Sequence, residues 1–280
     1  MTDTQDSVEE LPPPALAASR ADRIAQIVVP VVMLALVILV WHLYVTLNHV
    51  PHYVLPGPLL VAKALYNDWP ILFRALRVTL EITLSALALA LLGGVAIAIV
   101  MAQSRLAELA LYPYAVILQV TPIIPVAPLI IIYAPTTYAA LLIIAFLVAF
   151  FPVLSNTMQG LKSTDHNLLN LFELYGASPL QTLLHLKIPN ALPYFLVGLR
   201  IAGGLALIAA VVAEFVAGSA GANSGLAFRL LESQFRLNIP RLYAALLLLS
   251  ATGVIIFFVT SLISYLLLRR WPESAVRRES

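Results

Sequence analysis

Residues 164–193, TDHNLLNLFELYGASPLQTLLHLKIPNALP, interrupt a series of long apolar runs with a polar stretch that keeps a helical pattern of its own. Leu168, Leu171, Phe172 and Tyr175 recur at spacings of three and four, which puts them on one face of a short helix. Thr164 or Asp165 stands where an N-cap would start that helix, and Gly176 where a left-handed residue would end it. A second short helix then opens, with Ser178 as its N-cap and Pro179 in its first position. Its apolar face is Leu180, Leu183 and Leu184, and the spacing predicts that it stops at Pro189. A helix–glycine–helix unit on a membrane surface accounts for the pattern by itself.

The rest of the chain makes that surface a membrane surface. Of 280 residues, 61% are hydrophobic and only 11% are charged, which is outside the composition of soluble domains. Several apolar runs exceed the roughly eighteen residues that cross a hydrocarbon core. The net charge of +2, with no basic cluster interleaved with aromatics, gives no footprint for nucleic acid. There is no cysteine, which excludes structural disulfides and thiolate-held metals.

In chain order, residues 1–26 form a polar, proline-bearing tail expected to be disordered and cytoplasmic, with no secretory signal. Six spans are expected at about Ile27 to Leu47, Thr79 to Met101, Leu109 to Tyr133, Tyr138 to Met158, Tyr194 to Val216 and Leu242 to Leu268. Trp41, His42 and Tyr44 suit an interfacial position at the far end of the first. Between the first two spans, Pro56-Gly57-Pro58 forces a turn before an amphipathic segment on which Arg74, Arg77 and Glu81 share helical spacing. Gly93-Gly94 in the second span permits close helix contact. The domain is expected to run over 27–270, with a loop at 162–190 and a tail at 271–280.

The third span carries Pro113, Pro122, Pro125 and Pro128, and each interior proline removes a backbone hydrogen bond. Broken backbone is not tolerated against lipid, so TPIIPVAP should face protein or a water-filled cavity. Gln119, Thr121, Pro122, Pro125 and Pro128 are therefore candidates for lining a solute pathway, beside a plain packing kink as the simpler reading. The fifth span contains Arg200, near enough to an end to snorkel, and Glu214, an intramembrane carboxylate that calls for a partner or a cavity, and both join the pathway or gate candidates. At about 1.5 Å per residue the two are roughly 21 Å apart and cannot pair.

Gly176, Ala177 and Ser178, followed by Pro189 thirteen positions after the glycine and then Ala191-Leu192-Pro193, resemble the cytoplasmic signature of ABC-importer permease subunits. The proline run, GLRIAGG and VVAEF are similar to stretches of the nitrate, sulfonate and taurine branch, over about residues 55–270. Where the family has an acidic residue six positions before the glycine, this chain has Asn170, whose amide both donates and accepts. Where the family opens its last outer loop with Gly-Leu-Gly, this chain reads Ser224-Gly225-Leu226-Ala227. The resemblance implies an all-α integral membrane fold of the type I importer kind, six transmembrane helices with a cytoplasmic coupling helix between the fourth and fifth.

It also implies a transport subunit in the inner membrane, carrying a small solute such as nitrate, sulfonates or taurine, or a pyrimidine- or riboflavin-like heterocycle. Asp165, Leu168, Asn170, Leu171, Phe172, Glu173, Tyr175, Gly176, Ala177 and Ser178 would then meet a separate ATPase subunit. The implied partners are two ATPases holding ATP and Mg, a second permease chain, an extracytoplasmic solute-binding protein and membrane lipid. The chain itself has no G-x-x-x-x-G-K-[ST] loop to cradle a nucleotide, no nucleophile–base arrangement and no metal-ligand cluster. With both termini cytoplasmic, Arg20, Arg23, Arg105, Lys162, Lys187, Arg269, Arg270, Arg277 and Arg278 lie inside, against Lys63, Arg74, Arg77, Arg229, Arg236 and Arg241 outside. An ion-coupled secondary transporter would predict repeated halves and further intramembrane carboxylates. A membrane enzyme would predict catalytic groups clustered at one depth.

Overall fold

A computed structural model describes residues 20–218 and 224–269. Of the expected tails, residues 1–19 and 271–280, with Trp271, Arg277 and Arg278, lie outside the described residues, as do Arg270 and 219–223, whereas 20–26 are helical. The chain forms two units divided at Pro58. The first contains α1 (Arg20–Leu47), an apolar helix that starts seven residues before the expected span. It closes in a turn in which the Val50 N–H donates to Val45 O and His49 takes a positive φ.

The second unit runs from Leu59, with α2 (Pro58–Asn67), α3 (Trp69–Gln103), α4 (Arg105–Val120), α5 (Ile123–Tyr133), α6 (Thr137–Lys162), α7 (His166–Leu174), α8 (Pro179–Thr182), α9 (Ile188–Ala217), α10 (Leu226–Phe235) and α11 (Ile239–Leu268). Its centre is α6, which packs along α9 and α3 more extensively than any other pair. Two apolar clusters fill the contact. One holds Met101, Leu154, Leu161, Leu196 and Ala202; the other holds Ile82, Ile144, Ala145, Ala209 and Ala213. Small residues let the helices approach. A Cβ on Gly160 would fall 2.9 Å from the Ala191 Cα, and one on Gly198 would fall 3.0 Å from Pro152 O. In a bilayer, where lipid tails compete for apolar surface, such close backbone contact is a main source of helix association. Gly94 meets Val153 in the same way, while Gly93 has only ordinary contacts with Phe146 and Phe150.

Four buried hydroxyls are satisfied inside their own helices. Thr83, Thr252, Thr260 and Ser264 each donate to the carbonyl four residues earlier, a bond that costs the bundle no partner in the lipid. No ion pair joins Arg74, Arg77 and Glu81 to one another; all three are exposed on α3.

Among the described residues five helices are long and apolar enough to cross a membrane, six when α4 and α5, bent by 103° at their junction, are counted together as one broken span. The expected third span is therefore not one rod. Thr121 and Pro122 are extended, with ψ of 120° and 111°. Pro122 has no N–H to continue the ladder and its ring excludes helical geometry from Thr121. The Thr121 hydroxyl donates to Ile117 O at 2.6 Å and so seals the end of α4. Pro125 falls in the first turn of α5, where its N–H would have no helical partner in any case.

The second correction concerns Pro189. The helix opened by Pro179 does not stop there but passes through a π-helical turn, Leu183–Lys187, into α9. The Ile188 N–H reaches back five residues to Leu183 O. That wider turn shifts the ladder just before Pro189, and the helical run continues past the missing donor into α9. Pro179–Ala217 is thus one 39-residue helical run.

Candidate functional site

At one end of the bundle, α7 stands between α6 and α8 with none of its residues buried. Its boundaries are those the sequence marks. The Asp165 carboxylate accepts from the Asn167 N–H at 2.8 Å, which caps the start. At the far end Gly176 has φ +69°. The Ala177 N–H donates to Phe172 O and the Gly176 N–H to Glu173 O, both at 2.9 Å. This pair of bonds is a Schellman motif, and it satisfies two of the carbonyls that α7 leaves open. Two residues later Ser178 and Gln181 form a reciprocal capping box at the start of α8, with Pro179 in first position.

The helix therefore lies between two fixed turns, and its outward side is apolar. Leu168, Leu171, Leu174 and Tyr175 are exposed, the last two by 84% each. Leu180 and Leu184 are exposed beyond the turn, while Leu183 is buried. Asn170 is also exposed, and Phe172 half-buried. Leu169, half-buried, and Glu173, exposed, line a cavity of about 310 Å³ that Gln103, Ala177, Pro179, Thr182, Leu183 and Lys187 complete. An exposed row of leucines and a tyrosine on a helix with fixed ends is the form of a docking helix rather than of a catalytic centre.

Polar bonds tie this end to the bundle. Lys162, at the end of α6, pairs with Glu108 in the first turn of α4. The Asn190 amide, in the first turn of α9, donates to Gly160 O and to the Ser163 hydroxyl. These bonds join the end of α6, just before α7, to α4 and α9.

The broken pair forms a second feature, halfway along the bundle. A cavity of about 340 Å³ lies beside the α4–α5 break, lined by Gln119, Thr121, Ile123, Val126, Phe151 and Leu205 among others. Two of the sequence candidates, Gln119 and Thr121, supply its polar groups. Pro122, Pro125 and Pro128 are exposed on the same broken segment, and Ala127 is buried in the core.

Arg200 and Glu214 belong to neither feature. The Arg200 guanidinium is exposed on α9 and lies 5.9 Å from the centre of the Phe257 ring on α11. Glu214 has no exposed surface at all. Its carboxylate accepts from the Thr79 hydroxyl at 2.7 Å and from the Ala227 N–H at 2.9 Å. Thr79 in turn accepts from the Leu226 N–H at 2.9 Å. The partner that an intramembrane carboxylate requires is thus the N-terminus of α10.

The end of the bundle that holds α10 is braced by ions. Arg241 makes a two-bonded contact with Asp68, both at 2.7 Å, which joins the start of α11 to the turn between α2 and α3. On α10, Glu232 bonds Arg229 and Arg236, and the Arg229 hydrogen bond holds its carboxyl below the usual range. Sequence reasoning did not identify Thr79, Gly225, Asp68 with Arg241, or Glu108 with Lys162. Only Gly225 left a trace, as the glycine of Ser224-Gly225-Leu226-Ala227.

Comparison with known proteins gives a family model, the binding-protein-dependent transport system inner membrane component, that matches residues 90–272. The chain is 32% identical over 229 residues to a probable ABC transporter permease protein of Haemophilus influenzae, covering 82% of this chain and 92% of that protein. It is 31% identical over 229 residues to the formylaminopyrimidine transport permease protein ThiX of Halalkalibacterium halodurans, with 81% and 90% covered. It is also 31% identical over 245 residues to the riboflavin transport system permease protein RibX of Chloroflexus aurantiacus, with 87% and 90% covered.

Proposed function

Because the chain belongs to the family of binding-protein-dependent transport system inner membrane components, we propose that α7 is its coupling helix and the cavity at the α4–α5 break its solute passage. The chain is a permease subunit of an ABC importer, a transport subunit and not an enzyme, and works with an ATPase and a binding protein. The observation that carries the coupling reading is the exposed apolar row Leu168, Leu171, Leu174 and Tyr175, held between the Asp165 cap and the Gly176 turn. Such a face fits a groove on a partner, as amphipathic helices do. Asn170, Phe172, Glu173, Ala177 and Ser178 belong to the same surface or its turns.

Two copies of the chain stand with two ATPases, which hold ATP and Mg, and with an outer binding protein. Both termini and α7 face the cytoplasm, following the excess of basic residues on that side. Closure of the ATPase pair draws the two α7 helices together. The pull passes to α4 through Glu108 and Lys162 and to α9 through Asn190.

The passage takes a small, flat, hydrogen-bonding heterocycle. Support comes from its lining, an amide, a hydroxyl, a phenyl ring and aliphatic groups, which suit an uncharged ring system. The pyrimidine and riboflavin permeases among the relatives point the same way. Purified with its ATPase and binding protein in vesicles, the chain should show ATP hydrolysis that is absent without the ATPase. Uptake should be competed by pyrimidines or flavins. Hydrolysis by the permease alone would refute the division of labour, and competition by sulfonates but not by heterocycles would refute the solute class.

A further inference from the structure

The Glu214 carboxylate is buried against the first residues of α10, and the backbone there is shaped around it. A Cβ on Gly225 would fall 2.1 Å from Oε1 and 2.2 Å from Oε2. Glycine at 225 is what lets the chain pass over the carboxylate closely enough for the Ala227 N–H to bond it. Thr79, from α3, fills the remaining place: it donates to Glu214 and accepts from Leu226. Three elements, α3, α9 and α10, thus meet on one carboxylate. The first N–H groups of α10 are satisfied by it and by Thr79, and the partial positive charge of a helix start suits the site.

Glu214 also sits at the end of a long lever. The helical run begins at Pro179, beside the α7 turn, and continues without a break to Ala217. From Ile188 to Glu214 the rise is roughly 39 Å at about 1.5 Å per residue. α10 is the only element described after α9 before the final span, and it packs on α11, α9 and α3.

We propose that Glu214 is a positioning residue that locks α10 to the far end of α9, so that movement imposed on α9 at the α7 end appears as movement of α10 on the opposite face. In this role the carboxylate meets no solute. It transmits, and Thr79 and Gly225 are the two residues that allow it to. The proposal rests on the coupling reading of α7, because that reading supplies the movement.

The test uses the permease assembled with its ATPase in vesicles and one reporter, Gln234→Cys, on the exposed side of α10 in a chain that has no other cysteine. Labelling of the reporter is timed with and without trapped nucleotide, alongside hydrolysis and uptake. In the otherwise native chain the labelling rate should change on trapping. In Glu214→Ala, hydrolysis should persist, the labelling change should disappear, and uptake should fall by about tenfold, the scale of leaving a buried donor unpaired.

Gly225→Ala should reproduce this phenotype with the carboxylate still present, because the new Cβ expels it. The double variant Glu214→Ala with Gly225→Ala should be no worse than Glu214→Ala alone. Additive losses in the double variant would overturn the lock, since a carboxylate acting on the solute has no reason to mask Gly225. A labelling change that survives Glu214→Ala would overturn it as well, while leaving the coupling reading intact. A native chain whose α10 label ignores nucleotide would remove both.

Discussion

Replacing Gly176 with valine tests the coupling helix at its most constrained backbone position. The residue has φ +69°, and no heavy atom lies within 4 Å of the place a Cβ would occupy. The cost of a side chain is therefore conformational and not a clash with a neighbour. An L-residue in this region pays roughly 1–2 kcal/mol, and β-branching makes it worse. Since about 1.4 kcal/mol is a factor of ten, the native turn should become about 5–30 times less populated relative to alternatives. The alternatives break the Gly176 and Ala177 bonds to Glu173 and Phe172, and α7 then extends or tilts. That moves Leu168, Leu171 and Tyr175 while the packing of α3, α6 and α9 is untouched. The assay is co-purification of the ATPase together with hydrolysis and uptake, for valine and asparagine at position 176. The valine variant should insert normally but bind the ATPase weakly or hydrolyse without transport, and asparagine, which visits positive φ more readily, should be milder. Fully coupled transport in the valine variant would refute the reasoning, because the fixed turn would then contribute nothing to docking.

Two further outcomes follow from the same structure. With no native cysteine, Ser178→Cys should label only from the cytoplasmic side and Gln234→Cys only from outside; labelling of both from one side would refute the topology. At the break, Val126→Trp should reduce uptake with normal assembly, since Val126 lines the cavity. Ala127→Leu should instead overpack the core, costing about 1–3 kcal/mol and lowering the amount of assembled complex. Equal effects on assembly from both would mean that the cavity is not a passage.

What could be read from the sequence was what local chemistry encodes. The α7 turn is written within seventeen residues: a cap at Asp165, a positive-φ glycine at 176, a Ser–Gln box with proline in first position. Each is satisfied by a partner within five residues, so spacing alone reveals it. The apolar face was legible for the same reason, although Leu174 was missing from it and Phe172 proved half-buried. One error came from treating proline as punctuation of one kind. Pro122 does break the span, by 103°, because it meets Thr121 in the interior of a helix. Pro189 was expected to stop a helix and does not, because a π-helical turn shifts the ladder just before it and the run continues.

The remaining features depend on partners far along the chain. Thr79 meets Glu214 across 135 positions, Asp68 meets Arg241 across 173, and Lys162 meets Glu108 across 54. No periodicity links such pairs, so a carboxylate in VVAEF could be read only as needing a partner or a cavity, and so as a pathway or gate candidate. The structure changes the meaning of that need. A carboxylate exposed to a passage would have room around it, whereas this one is enclosed so tightly that the facing residue can have no side chain. The same comparison separates Val126 from Ala127, adjacent in sequence but one in a cavity wall and the other in the core. In a membrane chain with so few polar side chains, a charged residue is as apt to be joining helices as handling solute. Enclosure by backbone donors is what distinguishes the two, and by that criterion Gln119 and Thr121 fit the proposed passage while Glu214 fits the proposed lock.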